Sequence, residues 1–126
     1  MKKKSEYKIS SAGNDKILEI NITGEVTKSS MDQLAVETAV IIIESGLKNV
    51  LVDVRALKGR LGIMDTYSFV RSPAEKPKVK GALVDLPQHE EYLKFLETTA
   101  RNAGLSLKCF IDIDAARAWL KSSNLR

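Results

Sequence analysis

The sequence predicts a single α/β domain over residues 1–126, with a mixed, mostly parallel five-stranded sheet and helices mainly on one face. Three observations predict it. A four-residue theme recurs as Leu51-Val52-Asp53-Val54, Leu83-Val84-Asp85-Leu86 and Phe110-Ile111-Asp112-Ile113. Its aspartates stand 32 and 27 residues apart, about one strand–helix unit each. A helix exit also repeats, as Ser45-Gly46-Leu47-Lys48 and Ala103-Gly104-Leu105-Ser106. Finally, the apolar runs are short and continuous, as in parallel strands covered on both faces. The implied order is β-β-α-β-α-β-α-β-α. A chain of 126 residues, 44% of them apolar, buries about two-thirds of its unfolded surface without staples.

The elements follow in order. Tyr7 to Ser11 forms a short strand, and Ala12-Gly13-Asn14-Asp15 is a turn cluster. In the next strand Leu18, Ile20 and Ile22 alternate with Glu19 and Asn21, ending at Thr23-Gly24. Two runs joined by a short loop make an antiparallel hairpin. Ser30-Met31-Asp32-Gln33 matches a capping box, so a helix runs from there to about Ser45. Gly46 supplies the left-handed stop. Val50-Leu51-Val52 is a buried strand ending in Asp53, and Val54 to Gly62 is a loop. Ile63, Tyr67 and Val70 then recur at helical spacing, beside Met64. Ser72-Pro73 and Pro77 end that helix and form a rigid basic linker.

Ala82-Leu83-Val84 is another buried strand. Pro87 suits a first helical turn, where Glu90 and Glu91 meet the positive end of the dipole. Leu93, Leu96, Ala100 and Ala103 share a face of that helix, which Gly104 closes. Leu107 to Ile111 is the last strand. Asp112 or Asp114 caps a final helix carrying Ala116, Trp119 and Leu120 on one face. Crossovers between parallel strands are right-handed. If the strands follow sequence order, every helix therefore lies on one face.

Several motifs together resemble a known family. They are Ile22-Thr23-Gly24-Glu25-Val26, Val50-Leu51-Val52-Asp53-Val54-Arg55, and the stretch Glu97 to Gly104 followed by Phe110-Ile111-Asp112 and Ala118-Trp119-Leu120. The layout resembles the STAS-like superfamily, and more closely the small stand-alone bacterial SpoIIAA-like proteins. The resemblance implies a mixed sheet with helices to one side and a non-enzymatic role as a docking module. It also implies kinship of fold with carriers of apolar lipids. One departure matters. Anti-anti-sigma factors carry a phosphorylated serine just after the strand that ends here at Asp53. In this chain that segment reads Lys58-Gly59-Arg60-Leu61-Gly62-Ile63, with no hydroxyl, and Thr66 and Ser68 come later. The serine switch does not carry over.

The residues exclude most chemistry. Cys109 is the single cysteine, so no intrachain disulfide forms and a cytoplasmic setting is expected. No apolar stretch approaches a membrane span, and the basic Met1-Lys2-Lys3-Lys4 lacks the apolar region of a secretory signal. His89, the only histidine, has no nucleophile placed beside it and is expected exposed in a helix's first turn. Asp53, Asp85 and Asp112 would suit a hard cation, but each is better read as a loop start or helix cap. No catalytic residue, metal or cofactor is expected.

Net charge is +4, and the whole excess falls in residues 41–80, with eight basic against four acidic residues. Arg55, Lys58, Arg60, Arg71, Lys76 and Lys78 are the expected contacts to an anion or membrane surface. The helix at 63–71 is expected to act as a movable cover over an apolar site. Ile63, Met64, Tyr67, Phe69 and Val70 would come from the cover, and Tyr92, Phe95 and Leu96 from the helix opposite. The leading expectation is thus a module for a lipid-like ligand or peripheral contact with the inner membrane face. The alternative is a protein-interaction module, with a protein partner or a second copy. Nucleic acid is not expected, because no recognition helix or stacking motif accompanies the basic residues.

Overall fold

A computed structural model of the chain describes residues 6–60 and 78–122; the expected helix at 63–71 lies outside the described residues. Strands β1 (Glu6–Asn14) and β2 (Ile17–Glu25) form the antiparallel hairpin. It is longer than the sequence suggests, because Ala12-Gly13-Asn14 stays in the ladder. Asp15 and Lys16 alone reverse the chain, with φ of 55° and 65°. A two-residue turn with both φ positive has the hand that matches strand twist.

Helix α1 (Lys28–Ser45) begins one turn before the expected start. Thr27 is its N-cap, and the Thr27 amide donates to Ser30 Oγ at 2.9 Å. Ser30 thus serves inside the first turn, in the place a Gln or Glu usually takes, and not as the cap. The other end is as expected: Gly46 adopts φ 71° and its amide donates to the Ile43 carbonyl. The β-branched run Val40 to Ile43 is helical between these two stops.

The sheet continues with β3 (Asn49–Asp53), β4 (Leu57–Lys58), β5 (Lys80–Val84) and β6 (Ser106–Phe110). Its order is β1-β2-β3-β5-β6, parallel from β2 onward, so the strands follow the sequence as expected. The two-residue β4, expected as loop, pairs with Gly24 and Glu25 beyond the end of β3.

Strand alternation makes two cores. Leu18, Ile20, Ile22 and Val50 pack with Leu34 and Ile42 of α1. Their neighbours Ile17 and Leu51, with Ala82 and Val84, pack with Ala116 and Leu120 of the C-terminal helix. Successive strand residues point to opposite faces. The C-terminal helix therefore covers the face away from α1, a departure from the one-face expectation. The crossover rule constrains only a helix between two parallel strands, and among the described residues no strand follows this one.

The helix between β5 and β6, α2 (Glu90–Asn102), follows a 3-10 turn at Pro87–His89 and packs chiefly on β6. Its Glu97 Oε1 accepts the Cys109 amide at 2.9 Å, occupying a donor of the edge strand. The C-terminal helix is α3 (Ile113–Lys121). Lys80 Nζ donates to the Trp119 and Ser122 carbonyls at its C-terminus, at 2.9 and 3.0 Å. The same ammonium lies 4.5 Å from the Trp119 ring centroid. Arg117 binds Glu19 of β2 through two bonds of 2.8 and 2.9 Å.

Two backbone positions give opposite predictions. Lys16 holds a left-handed conformation that favours glycine, so Lys16→Gly raises unfolding free energy by about 0.5–1 kcal/mol. Gly59 has φ 95°, and a Cβ there collides with the Val26 carbonyl oxygen. Gly59→Ala therefore lowers stability by about 1–3 kcal/mol. Urea denaturation of the two variants checks both signs.

Candidate functional site

The parallel strands end in register: Asp53 faces Val84, and Val84 faces Phe110. The three repeated aspartates consequently stand along one edge of the sheet, each with its own partner. Asp112 caps α3, its Oδ1 accepting the Asp114 amide at 3.0 Å. Asp53 accepts from Arg55 three times, from the amide and Nε at 3.0 Å and from the terminal nitrogen at 2.8 Å.

Asp85 is fully buried and gathers the most. Arg60 binds it with both prongs, Nε at 3.0 Å and a terminal nitrogen at 2.8 Å. The Leu86 amide adds a bond of 2.7 Å, and His89 Nδ1 lies 3.0 Å away. The remaining N–H groups of Arg60 donate to the carbonyls of Leu57 and Gly59 at 2.7 Å and of Val54 at 2.9 Å. A guanidinium has five N–H groups, and all of them are used inside the protein. Arg60 thus pins the turn from Val54 to Gly59 onto the end of β5.

The electrostatics follow from these contacts. Burial alone would push the Asp85 carboxyl up; Arg60, the Leu86 amide and His89 outweigh it and hold the group below the usual carboxylate range. Asp53 shows the same balance, burial raising it and Arg55 lowering it further. Glu19 is held low first by its hydrogen bonds from Arg117, against a smaller effect of burial. Burial pushes the Cys109 thiol up to about 12, with Glu97 adding to the effect.

Among the described residues the edge around this frame is open. A groove of about 400 Å³ is lined by Asn21, Ile22, Thr23, Asp53, Arg55, Ala56 and Leu86. Asn21, Arg55 and Ala56 are exposed on it, and Lys58 is exposed on the neighbouring β4. Asn21 is read from the sequence only as a strand residue and Thr23 only as part of the framework motif Ile22–Val26, so neither is flagged as a site residue. Their one signal is register, since Asn21 pairs with Asp53.

The expected site residues are divided. Arg55 and Lys58 sit at this edge, while Arg60 is turned inward on Asp85. Lys78 is exposed before β5. Tyr92, Phe95 and Leu96 are half-buried on α2 and line neither this groove nor the one between α1 and β1. Ile63, Met64, Tyr67, Phe69, Val70, Arg71 and Lys76 lie outside the described residues. His89, expected exposed, is half-buried against Asp85, because the 3-10 turn brings its ring back over the strand end. Among the described residues no cluster of three His, Cys, Asp or Glu is placed to hold a metal ion. No described helix is long and apolar enough to cross a membrane.

Two measurements check this site. Asp85, Asp53 and Glu19 titrate lower in the folded state than in the unfolded chain, so their stabilisation is complete above the unfolded carboxylate range, about pH 4. It is lost as pH falls through the folded values below that. The urea midpoint of the native chain therefore drops below about pH 4, and that of Arg60→Met drops less steeply. Native Cys109 resists a thiol reagent at pH 8 and reacts only on unfolding.

No protein-family model matches the chain, and no curated protein matches it in sequence. Among solved structures it is similar to an anti-sigma factor antagonist from Mycobacterium paratuberculosis, with a TM-score of 0.61 and 12% identity. The match covers 92% of this chain and 95% of that one. So distant an identity speaks for architecture, and the sequence-ordered mixed sheet agrees with it: the chain has a STAS, SpoIIAA-like fold.

Proposed function

We propose that the chain is a non-enzymatic protein-interaction module that docks its partner on the C-terminal edge of the sheet. The observation that carries this reading is the contrast at that edge. Arg60 and Asp85 fix the backbone from Val54 to Gly59 from beneath, while Asn21, Arg55 and Ala56 remain exposed above it. A surface held before binding loses little freedom on binding. The likeness to the structure of an anti-sigma factor antagonist supports a protein as the class of partner. The stretch Asp53 to Arg60 has no serine or threonine, so docking here is not switched by phosphorylation within the turn. The apolar-ligand and membrane reading rests on residues 63–71, outside the described residues.

A photo-crosslinking residue at Asn21, exposed on the same groove and used in the native host, tests the proposal. It captures one protein in stoichiometric amount. Ala56→Arg abolishes that capture without moving the melting temperature, and Ala118→Arg, on α3, leaves it intact. Equal capture by Ala56→Arg would refute the placement of the surface. Purified protein that carries lipid and captures no protein would overturn the docking role in favour of an apolar ligand.

A further inference from the structure

The two edges of the sheet are finished differently. On β6, five residues long, Glu97 of α2 occupies the Cys109 amide. β1 runs for nine residues, and from Ile9 to Gly13 its outer side has no bonding partner among the described residues. The hairpin turn fixes which groups face out. A two-residue turn makes its flanking pair, Asn14 and Ile17, a hydrogen-bonded one. Bonded and non-bonded pairs alternate along an antiparallel ladder. Ala12 and Ser10 therefore bond β2, and the amides and carbonyls of Ile9, Ser11 and Gly13 point outward. Proline, a bulge or a run of charge commonly guards such an edge. From residue 7 to 14 there is no proline, the register with β2 is unbroken, and Lys8 is the single charge.

We propose that the chain forms a homodimer by pairing β1 antiparallel with the β1 of a second copy, about a twofold axis at Ser11. The outward backbone groups select a strand as the occupant, because an extended chain presents donors and acceptors at the same repeat. The side chains of β1 select β1 itself. Centring on Ser11 sets Ile9 of each copy against Gly13 of the other. The one large apolar side chain between residues 8 and 14 thus faces the one residue without a side chain. Gly13 has room beside it: a Cβ there would meet only Leu47, at 3.6 Å. In the same register Ser10 faces Ala12 and Lys8 faces Asn14. All three outward residues pair, which makes about six main-chain hydrogen bonds. The two lysines stand at opposite ends of the seam, whereas a parallel, in-register pairing would set Lys8 against Lys8. Every contact off the axis occurs twice, as an isologous interface requires.

Sedimentation velocity on the full chain over a concentration series, with amide hydrogen exchange, tests this. The native chain forms a concentration-dependent dimer, and exchange at Ile9, Ser11 and Gly13 slows as it forms. Ser11→Lys and Ser11→Asp each set like charges together on the axis and lower the dimer affinity about tenfold. Mixed in equal amounts, the two variants pair with each other. Ser11 is exposed and its amide lies outside the ladder with β2, so both variants keep the native melting temperature. A native monomer at every concentration, a dimer that leaves those three amides exchanging as before, or a mixture no tighter than its components would overturn the proposal.

Discussion

The Arg60 guanidinium clamped on buried Asp85 is the interaction on which the C-terminal edge of the sheet depends. An unpaired carboxylate with the burial of Asp85 would cost several kcal/mol, and the same carboxylate beneath a two-pronged guanidinium is tolerated. The pair joins residues 25 positions apart. It binds the end of β5 to the turn that leads from β3 to β4. The other three N–H groups of Arg60 hold the carbonyls of that turn, so one side chain replaces the regular ladder where the sheet stops. Gly59 belongs to the same construction. Its left-handed backbone lets the chain pass against the Val26 carbonyl and delivers Arg60 to Asp85.

Much of the fold was legible in the residues. Strand ends at Asp53 and just before Asp85 and the Gly46 stop are local features, written in four to six residues each, and the structure has them where the sequence puts them; of the two caps the sequence offers the last helix, Asp112 and Asp114, the structure uses Asp112. The N-terminus of α1 was misplaced by one turn because two serines and a threonine within four residues offer competing caps. The face of α3 was not legible at all. Nothing local distinguishes a helix that crosses over from one that ends the domain.

The site was less legible, for an electrostatic reason. Counting charge placed a basic excess in residues 41–80, but charge counts ignore pairing. Of its described members, Arg55 lies on Asp53, Arg60 on Asp85, and Lys80 on the C-terminus of α3. Lys48, Lys58 and Lys78 are left exposed on the surface. Each repeated aspartate likewise has a different partner although the motif around it is the same. Partners 25 residues apart in sequence become neighbours only once β3 and β5 pair, and that pairing is a property of the whole sheet.

The central claim is that Arg60 and Asp85 act as one unit. A double-mutant cycle on Arg60→Met and Asp85→Asn, read by urea denaturation at pH 7, measures that directly. Each single change strands a buried partner and lowers stability by about 3–5 kcal/mol. The double variant strands neither, and its loss falls well short of the sum. Strictly additive losses would contradict the account, since the two groups would then be contributing separately to an edge held by something else.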